Sequence, residues 1–535
     1  MFRNRGTGKT MAQKKRTLLK KITYVFILLL GVYIIWCTVV WNRQPTITVD
    51  YVAMQNAKAL SVDNQDAALP LYIDAAIAFE KDPEPSSEDY DLLVPYWPHQ
   101  GGWEMYIQWI HRNSKTFELI REASGKTGLG VIIGAEPTDK DKELFGENVQ
   151  FWRDVDWQDS QVDQLMHGSL LNIILPYYGK FRGLARMLEF DARQAAFESD
   201  QSRFVSDVEA MVKLARHCKE TPALIPDLVA MAIAKMSLRV TGEVLALSPE
   251  VFDDEHLTRL SNLYLDSGDL FHIRLETERV FLLDSLQRLY TDDGNGDGSL
   301  IAQSMSLMEF IASANETSLP WANRIFSFLS GPIVTWNIAS RKEALAEYDR
   351  RLDYYTEQST LPLYARQLND QFFSDEDGWW SRSRFVVVDV LAPVFGRSIN
   401  SESTSLAIRN SIVAVIAMEL YQRAEGKWPT RLAQAMENPP LDPWSGEPMQ
   451  IAFEDGRPLI YSFGVDRNDD GGTFYNKRGQ NYRSPWAEYL EPERMFSDHE
   501  GYSANRSNEY ARDWQPADSE DLPDGDWILW PPIVD

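Results

Sequence analysis

The sequence predicts a mostly α-helical protein with one N-terminal transmembrane helix, a helical ectodomain and a small C-terminal α+β module. Three observations lead to this fold class. Residues 22–41 form an uncharged apolar run, most of residues 45–400 repeat apolar residues at three- and four-residue spacings, and short aromatic and β-branched segments follow Pro440. We therefore divide the chain into a basic tail (1–21), the membrane anchor, the helical ectodomain and a C-terminal module (403–535).

The anchor is predicted from its length and composition. Residues 22–41, ITYVFILLLGVYIIWCTVVW, contain no charged residue. Twenty helical residues rise about 30 Å, which matches the hydrocarbon core of a bilayer. Trp36 and Trp41 lie toward one end of the run, where aromatic side chains favour the membrane interface. A cleaved signal peptide would have a shorter apolar region and a small-x-small cleavage site, which WCTVVWNRQP lacks, so an uncleaved signal anchor is favoured.

The charge distribution predicts the orientation of this anchor. Residues 1–21 contain eight Lys or Arg and no Asp or Glu. The whole chain has 53 basic and 79 acidic residues, so the remainder has 45 basic against 79 acidic residues, a balance of −34. The positive-inside rule places the N-terminus in the cytoplasm and the C-terminal part outside it, as in a single-pass protein of the inner (cytoplasmic) membrane. The acidity argues against nucleic acid as a partner, because phosphate binding requires a basic surface.

Helical periodicity dominates the predicted ectodomain, which we expect to be a helical bundle or an irregular α-solenoid. Helices are predicted within residues 103–125, 160–265, 268–291 and 300–360. TPALIPD is predicted to connect two helices, because Pro222 and Pro226 interrupt the apolar pattern. Residues 375–400 are predicted to lead into the last part of the chain.

The C-terminal module is predicted from a change in pattern. A helix at about 403–425 precedes two segments rich in aromatic and β-branched residues, MQIAF (449–453) and PLIYSF (458–463). Such segments, bounded by Gly, Pro and Asp, are typical of strands, and DWILWPPIV near the C-terminus is predicted to be a third. Residues 495–525 are polar and acidic, which predicts a long loop.

A first acidic segment, TDDGNGDGSL, has the spacing of a cation-binding loop. Asp293, Asn295 and Asp297 follow a D-x-N-x-D-G pattern. Three oxygen donors at alternate positions wrap around one hard cation, so calcium is a candidate ligand. The twelfth position of an EF-hand loop carries a bidentate Glu, whereas here it is Ser304. The alternative is a solvated turn between two helices, since Asp, Asn and Gly favour turns.

A second acidic segment, GVDRNDDGG, repeats that spacing at Asp466, Asn468 and Asp470. Asp469 adds a third carboxylate within five residues, and such carboxylates repel one another unless they are solvated or bind a cation. The twelfth position is Lys477, so groups from neighbouring loops would have to complete the ligand shell. The alternative is a hairpin turn. This segment is the stronger calcium candidate.

Residues 413–472 resemble the C-terminal part of the major pseudopilin of type II secretion systems. Three pieces carry the resemblance in the order that family has them: MELYQRAEGKWPT (418–430), LDPWSGEPM (441–449) and IYSFGVDRNDDGG (460–472). They look like the end of its helix with the following Gly-x-Tyr/Trp-Pro turn, its Asp-Pro-Trp-Gly-x-Pro segment and its Tyr-Ser-x-Gly-x-Asp loop. The resemblance implies that this last loop binds calcium and stabilises the fold. Asp466 then matches the first Asp of the loop, and Asp469 and Asp470 match approximately.

The rest of the chain departs from a pseudopilin. The anchor has no Gly-Phe cleavage signature and no Glu at the fifth mature position, and about 370 residues separate it from the matching module. We therefore do not expect a filament subunit. Taken whole, the chain resembles uncharacterised membrane-anchored proteins of planctomycete-type bacteria, which implies a location in the cell envelope.

These observations predict a membrane-anchored envelope protein with a non-enzymatic scaffolding or binding role. Its expected partners are the membrane and other envelope or secretion-system proteins. The alternative is an anchored hydrolase that acts on envelope polymers or carbohydrate, which would need carboxylates in a cleft lined by aromatic residues. The first tryptophans to consider for such a surface are Trp379, Trp380, Trp527 and Trp530, although tryptophan more often packs in a core.

Sequence motifs of enzymes do not favour the hydrolase. The seven histidines form no H-E-x-x-H zinc motif, and no G-x-S-x-G nucleophile elbow occurs. His272 and Glu276 are four residues apart, which on a helix would make them neighbours, but such a pair is more often a structural contact.

Overall fold

The structure is a computed structural model, and it describes residues 7–63, 65–79, 98, 103–152, 168–304, 322–366, 384–391, 395–454, 456–464, 467–472 and 526–531. The helices are α1 (Thr7–Trp41), α2 (Tyr51–Leu60), α3 (Leu69–Ala78), α4 (Trp103–Arg112), α5 (Ser114–Ser124), α6 (Asp139–Phe145), α7 (Tyr177–Phe197), α8 (Gln201–Cys218), α9 (Leu224–Leu247), α10 (Asp254–Leu265), α11 (Glu278–Leu289), α12 (Ala322–Asn337), α13 (Arg341–Thr360), α14 (Val386–Leu391), α15 (Phe395–Glu425) and α16 (Leu432–Ala435). The strands are β1 (Gln450–Glu454), β2 (Arg457–Ser462) and β3 (Trp527–Trp530). The chain is mostly helical, as predicted.

The N-terminal helix α1 contains the predicted anchor and begins inside the basic tail. Its segment Leu18–Trp41 is long and apolar enough to cross a membrane, and nearly all of that segment is exposed. The segment Ser401–Glu425 of α15 meets the same criterion of length and composition, but two thirds of it is buried. The first helix therefore has the features of a membrane anchor or a signal sequence, whereas α15 is a core helix.

The body of the protein is built from helices that pack on one another in chain order. Helix α7 packs on α8, α8 packs on α9, and α5 lies beside α8. Aspartate N-caps begin two helices of the body. At the start of α8, Asp200 accepts a hydrogen bond from the N–H of Arg203, and at the start of α10, Asp253 accepts one from the N–H of His256. The predicted helices within 103–125 and 160–265 are present, except that residues 153–167 lie outside the described residues.

Three predicted boundaries are wrong. Pro226 lies in the first turn of α9 and not in a connection, because a proline there removes only an N–H that has no helical partner. Residues 268–277 contain two short 3-10 turns before α11 begins at Glu278. The last long helix, α15, begins at Phe395, eight residues before the predicted start at 403.

The C-terminal strands form one antiparallel sheet in the order β1-β2-β3. Gln450 pairs with Tyr461, and Ser462 pairs with Trp527. All three predicted strands are therefore confirmed. The predicted loop at 495–525 lies outside the described residues.

The helical body and the C-terminal sheet share one hydrophobic core. Helix α15 packs on α9 and α10 on one side and on β2 and β3 on the other. The cluster of buried apolar side chains runs without a break from the helical body to Trp444, Ile460 and Leu529. The indole N–H of Trp530 donates to the carbonyl of Gly242 in α9 at 3.1 Å. The predicted C-terminal module is thus docked on the helical body through its own long helix.

Candidate metal centre

The second acidic loop follows β2 and is described from Arg467 to Gly472. The predicted ligand Asp466 lies outside the described residues. Oδ1 of Asp469 accepts hydrogen bonds from the hydroxyl of Tyr461 and from the N–H of Gly471, both at 3.0 Å. The amide of Asn468 donates to Oδ1 of Asp470 at 3.2 Å. The remaining oxygen of Asp470, Oδ2, is buried and has no hydrogen-bond partner among the described residues.

Asp526 joins this loop from the other end of the module. It directly precedes β3, its side chain is 1% exposed, and Oδ2 accepts the N–H of Gly472 at 2.7 Å. Its other oxygen, Oδ1, is also buried without a hydrogen-bond partner in the described part of the chain. Burial raises the pKa of Asp526 to about 7, and the negative charges of Asp469 and Asp470 act in the same direction. Asp526 is therefore held at the loop through Gly472, and two carboxylates there, Asp470 and Asp526, keep a buried oxygen without a hydrogen-bond partner among the described residues.

The sequence prediction missed Asp526, although a signal for it exists. Antiparallel pairing of Ser462 with Trp527 places the residue before β3 beside the residues after β2. A prediction that β3 pairs with β2 would therefore have placed Asp526 at the loop. The sequence does not specify this pairing, because more than sixty residues separate the two strands.

The Asp-Pro-Trp segment has a structural role next to this loop. The carboxylate of Asp442 is buried and accepts hydrogen bonds from the hydroxyls of Ser445 (2.9 Å) and Ser462 (2.6 Å). It also accepts the N–H groups of Trp444, Ser445 and Phe463, at 3.2–3.3 Å. Asp442 therefore joins its own turn to the end of β2, where the acidic loop begins.

The first acidic loop uses its carboxylates differently. Oδ1 of Asp293 accepts the N–H groups of Asn295 (2.8 Å) and Asp297 (3.1 Å). Oδ1 of Asp297 accepts the N–H groups of Gly298 (2.8 Å) and Lys342 (3.1 Å), the second of which lies in the first turn of α13. Backbone N–H groups lower the pKa of Asp293, and they lower that of Asp297 although burial acts in the opposite direction.

This first loop lies between the segment that follows α1 and the start of α13. Asp292 forms an ion pair with Arg341 (2.9 Å), whose N–H donates to the carbonyl of Gly298 (3.0 Å). On the other side, the guanidinium of Arg43 donates to the hydroxyl of Ser299 at 2.5 Å. The loop therefore contacts the start of α13 on one side and Arg43 on the other, and calcium binding at Asp293, Asn295 and Asp297 stays a prediction.

Neither loop is a preassembled metal cage. Within the described ranges, no three His, Cys, Asp or Glu side chains converge closely enough to hold a metal ion. The group at Asp469, Asp470 and Asp526 nevertheless fits a hard cation in chemistry, because its free oxygens are the ligands that calcium prefers.

Charged groups inside the helical body join helices to one another. Arg121 of α5 donates from Nε to Oδ1 of Asp207 in α8 (2.9 Å) and pairs with Asp191 of α7. Burial, followed by the charge of Asp191, raises the pKa of Asp207 well above its ordinary range. A second ion pair joins α7 to α9, where Arg193 lies 2.8 Å from Glu243. Asp207 is completely buried, which suits a packing role better than acid–base chemistry.

The remaining enzyme candidates also have structural contacts. His272 lies in extended backbone and not on a helix face with Glu276, and its Nδ1 lies 3.3 Å from Oε1 of Glu402 in α15. This bond raises the pKa of His272. Trp530 is a core residue, Trp379 and Trp380 lie outside the described residues, and the side chain of Trp527 does too.

Comparison of the chain with protein-family models, with curated proteins and with solved structures gave no match. The case for a function therefore rests on geometry.

Proposed function

We propose that the protein is a single-pass envelope protein of the inner membrane with a non-enzymatic scaffolding or binding role, and that calcium stabilises its C-terminal loop. The observation that carries this proposal is that an exposed apolar helix, Leu18–Trp41, is followed in the same chain by a large folded body with an extensive hydrophobic core. An apolar surface of this length is costly in water and suits the interior of a bilayer.

The orientation follows from the charges beside α1. The tail carries eight basic residues, and the remainder of the chain is strongly acidic. Under the positive-inside rule the tail stays in the cytoplasm and the body is exported. Protease treatment of sealed inner-membrane vesicles tests this: a C-terminal tag should be protected in inside-out vesicles and cut in right-side-out ones. Cleavage of the chain near residue 41, detected by intact mass, would instead make α1 a signal peptide and remove the anchor.

A scaffolding role is supported by how the buried charges are used. Ion pairs inside the body connect helices to one another: Arg121 of α5 pairs with Asp191 of α7 and Asp207 of α8, and Arg193 of α7 pairs with Glu243 of α9. Such pairs fix the relative positions of helices. The proposed partners are other envelope or secretion-system proteins, which would bind a body that is already rigid.

The calcium proposal rests on Asp469, Asp470 and Asp526. Two of these carboxylates keep an oxygen without a hydrogen-bond partner among the described residues. Burial raises the pKa of Asp526, and the negative charges of Asp469 and Asp470 add to this rise, so a bound cation would stabilise the ionised carboxylate. Calcium takes six to eight oxygen ligands, so Asp466, Asn468, backbone carbonyls and water would complete the shell.

Thermal melting of the full chain in detergent, with calcium and with chelator, tests this part. A ligand that binds only the folded state at about 100 times its Kd stabilises it by about 2.7 kcal/mol. We expect a calcium-dependent rise in Tm that Asp526→Asn and Asp470→Asn each abolish. The matched control is Asp293→Asn in the first loop, which should keep the full calcium response. If only the control lost the calcium response, the calcium site would be assigned to the first loop instead.

A further inference from the structure

A second apolar helix, α12, lies against the end of the anchor. Trp41 stacks on Phe328 with ring centroids 6.4 Å apart. Cys37 and Val40, on the same side of α1, are buried, whereas most of the apolar side chains around them are exposed. Residues 325–340, which include most of α12, contain no charged residue. The contact therefore joins two apolar helices.

The crossing of the two helices is built around Pro332. Proline has no N–H, so the carbonyl of Phe328, four residues earlier, has no helical hydrogen bond. The indole N–H of Trp41 donates to this carbonyl at 3.2 Å, and the hydroxyl of Tyr33 donates to the next one, that of Leu329. In hydrocarbon, where water cannot satisfy a free carbonyl, a neighbouring helix has to supply the donor. The anchor supplies it here.

Gly331 makes room for this hydrogen bond. A Cβ at position 331 would lie 2.7 Å from Nε1 of Trp41, which is closer than real Cβ contacts. Gly and Pro are the two poorest helix formers, so their presence inside α12 needs a reason outside the helix itself. The contact with Trp41 is that reason, and small residues at a close crossing are typical of helices that pack in membranes.

In the part of α12 whose side chains are described, residues 328–337, the exposed side chains are apolar. Leu329, Ile333 and Trp336 are spaced by four and three residues, so they share one helix face, and all three are exposed. The side chain of Trp336 is 81% exposed. This stripe continues the exposed apolar surface of α1 onto the adjacent helix, and this continuity favours lipid as its partner.

The depth of α12 follows from that of α1. The contact on α1 runs from Tyr33 to Trp41, eight residues or about 12 Å of helix. If α1 fills a hydrocarbon core of about 30 Å that ends at Trp41, the part of α12 that packs between Tyr33 and Trp41 lies within the last part of the core, up to the interface. Sixteen residues rise only about 24 Å, which is too short to span the bilayer.

We infer that α12 is a membrane-embedded helix that enters and leaves the bilayer on the side of the folded body, with Leu329, Ile333 and Trp336 in contact with lipid. This inference rests on the proposed anchor, and it adds a second membrane attachment. The side chain of Gln287 in α11 accepts the N–H groups of Thr48 and Val49, both at 3.2 Å. The chain after the anchor is therefore fixed to the body, which holds the body against the membrane surface.

Depth-dependent fluorescence quenching tests the inference with the full chain in lipid nanodiscs. Both native cysteines, Cys37 and Cys218, are replaced by Ser, and an environment-sensitive dye is attached at single cysteines that replace Trp336, Leu28 in the middle of α1, or Phe197 in the body. All three side chains are exposed, so each accepts a label. Nitroxide groups on the lipid tails should quench the dye at positions 336 and 28 strongly and leave position 197 unchanged.

The outcomes separate the two proposals. Quenching at 28 without quenching at 336 would overturn the embedded α12 and leave the anchor in place. Absence of quenching at 28 would overturn the anchor as well. Quenching at 197 equal to that at 336 would show general adsorption of the body to lipid and would also overturn the specific claim for α12.

A mutant cycle tests the role of Trp41 in positioning α12. Trp41→Phe keeps a ring on Phe328 but removes the N–H donor, so quenching at 336 should fall. Pro332→Ala restores a backbone N–H to the carbonyl of Phe328, so the same Trp41→Phe change should then have little effect. Equal losses in both backgrounds would contradict a role for this hydrogen bond. Circular dichroism of each variant confirms that the body is folded.

Discussion

The two acidic loops share a D-x-N-x-D-G spacing but use their carboxylates in different ways. In the first loop, Asp293 and Asp297 accept four backbone N–H groups, one of them from the start of α13. In the second loop, Asp470 and Asp526 each keep a buried oxygen without a hydrogen-bond partner among the described residues. The same spacing therefore occurs in two different surroundings. The surrounding structure brings a backbone N–H donor from α13 to the first loop and a further carboxylate, Asp526, to the second.

Gly298 and Gly471 occupy equivalent positions in the two loops, and replacing each by alanine should give the largest difference in stability between the loops. A Cβ on Gly298 would lie 1.9 Å from the backbone carbonyl oxygen of Thr291, so the loop would have to open. At Gly471 (φ +67°) a Cβ would meet nothing within 4 Å, and only the left-handed conformation opposes a side chain. We expect Gly298→Ala to lower the free energy of unfolding by about 3 kcal/mol and Gly471→Ala by about 1 kcal/mol, as measured by urea unfolding in detergent.

Equal costs at the two positions would contradict this contrast between the loops. A larger cost at Gly471 would indicate that the second loop is the more tightly packed one. A calcium-dependent cost at Gly471 would sharpen the contrast, because strain there would then oppose ion binding as well as folding.

Much of the fold is readable from local sequence. The apolar N-terminal helix, the helices around α7 to α9 and the three strands follow from apolar composition, helical periodicity and β-branched content, and each is present. The errors occur at element ends. Pro226 was predicted to break a helix, but a proline in the first turn is tolerated, and the start of α15 depends on what packs against it.

Long-range pairing is what the sequence does not contain. Asp526 reaches the second loop only because β3 pairs with β2, and Lys342 reaches Asp297 only because α13 folds back onto the first loop. Likewise, Gly331 and Pro332 look like helix-breaking residues until Trp41 is placed beside them. Each of these contacts joins segments that are tens to hundreds of residues apart in the chain.

The contributions of the two loops to the free energy of unfolding should also change with pH in opposite directions. Burial and the neighbouring charges raise the pKa of Asp526 to about 7 from an ordinary value of 3.8. The folded protein then holds this proton more tightly than the unfolded chain does, so the stability that it contributes is present below about pH 4 and is lost as pH rises to about 7. We expect this loss to be only about 1–2 kcal/mol, because the loop that covers Asp526 is itself largely exposed, so nearby water reduces both the effect of burial and the charge of Asp469.

Urea unfolding of wild type and Asp526→Asn between pH 4 and 8, with chelator present, measures this effect as a difference. The variant should not show the decline. Calcium should reverse the decline in wild type above pH 7, because the ion replaces the proton. A decline of the same size in the variant would assign it to other groups.

In the first loop, the effect of pH on stability should be smaller than in the second and opposite in sign. Asp297 has a lowered pKa, so its contribution is present above its ordinary value of 3.8 and is lost as pH falls through the folded pKa. Because its Oδ1 accepts the N–H of Lys342 near the start of α13, Asp297→Ala should cost about 1 kcal/mol, as for loss of a helix cap. Asp297→Asn keeps an acceptor oxygen and should cost less. Both costs should be the same in calcium and in chelator, and a cost that appears only in calcium would make this loop a cation site like the second.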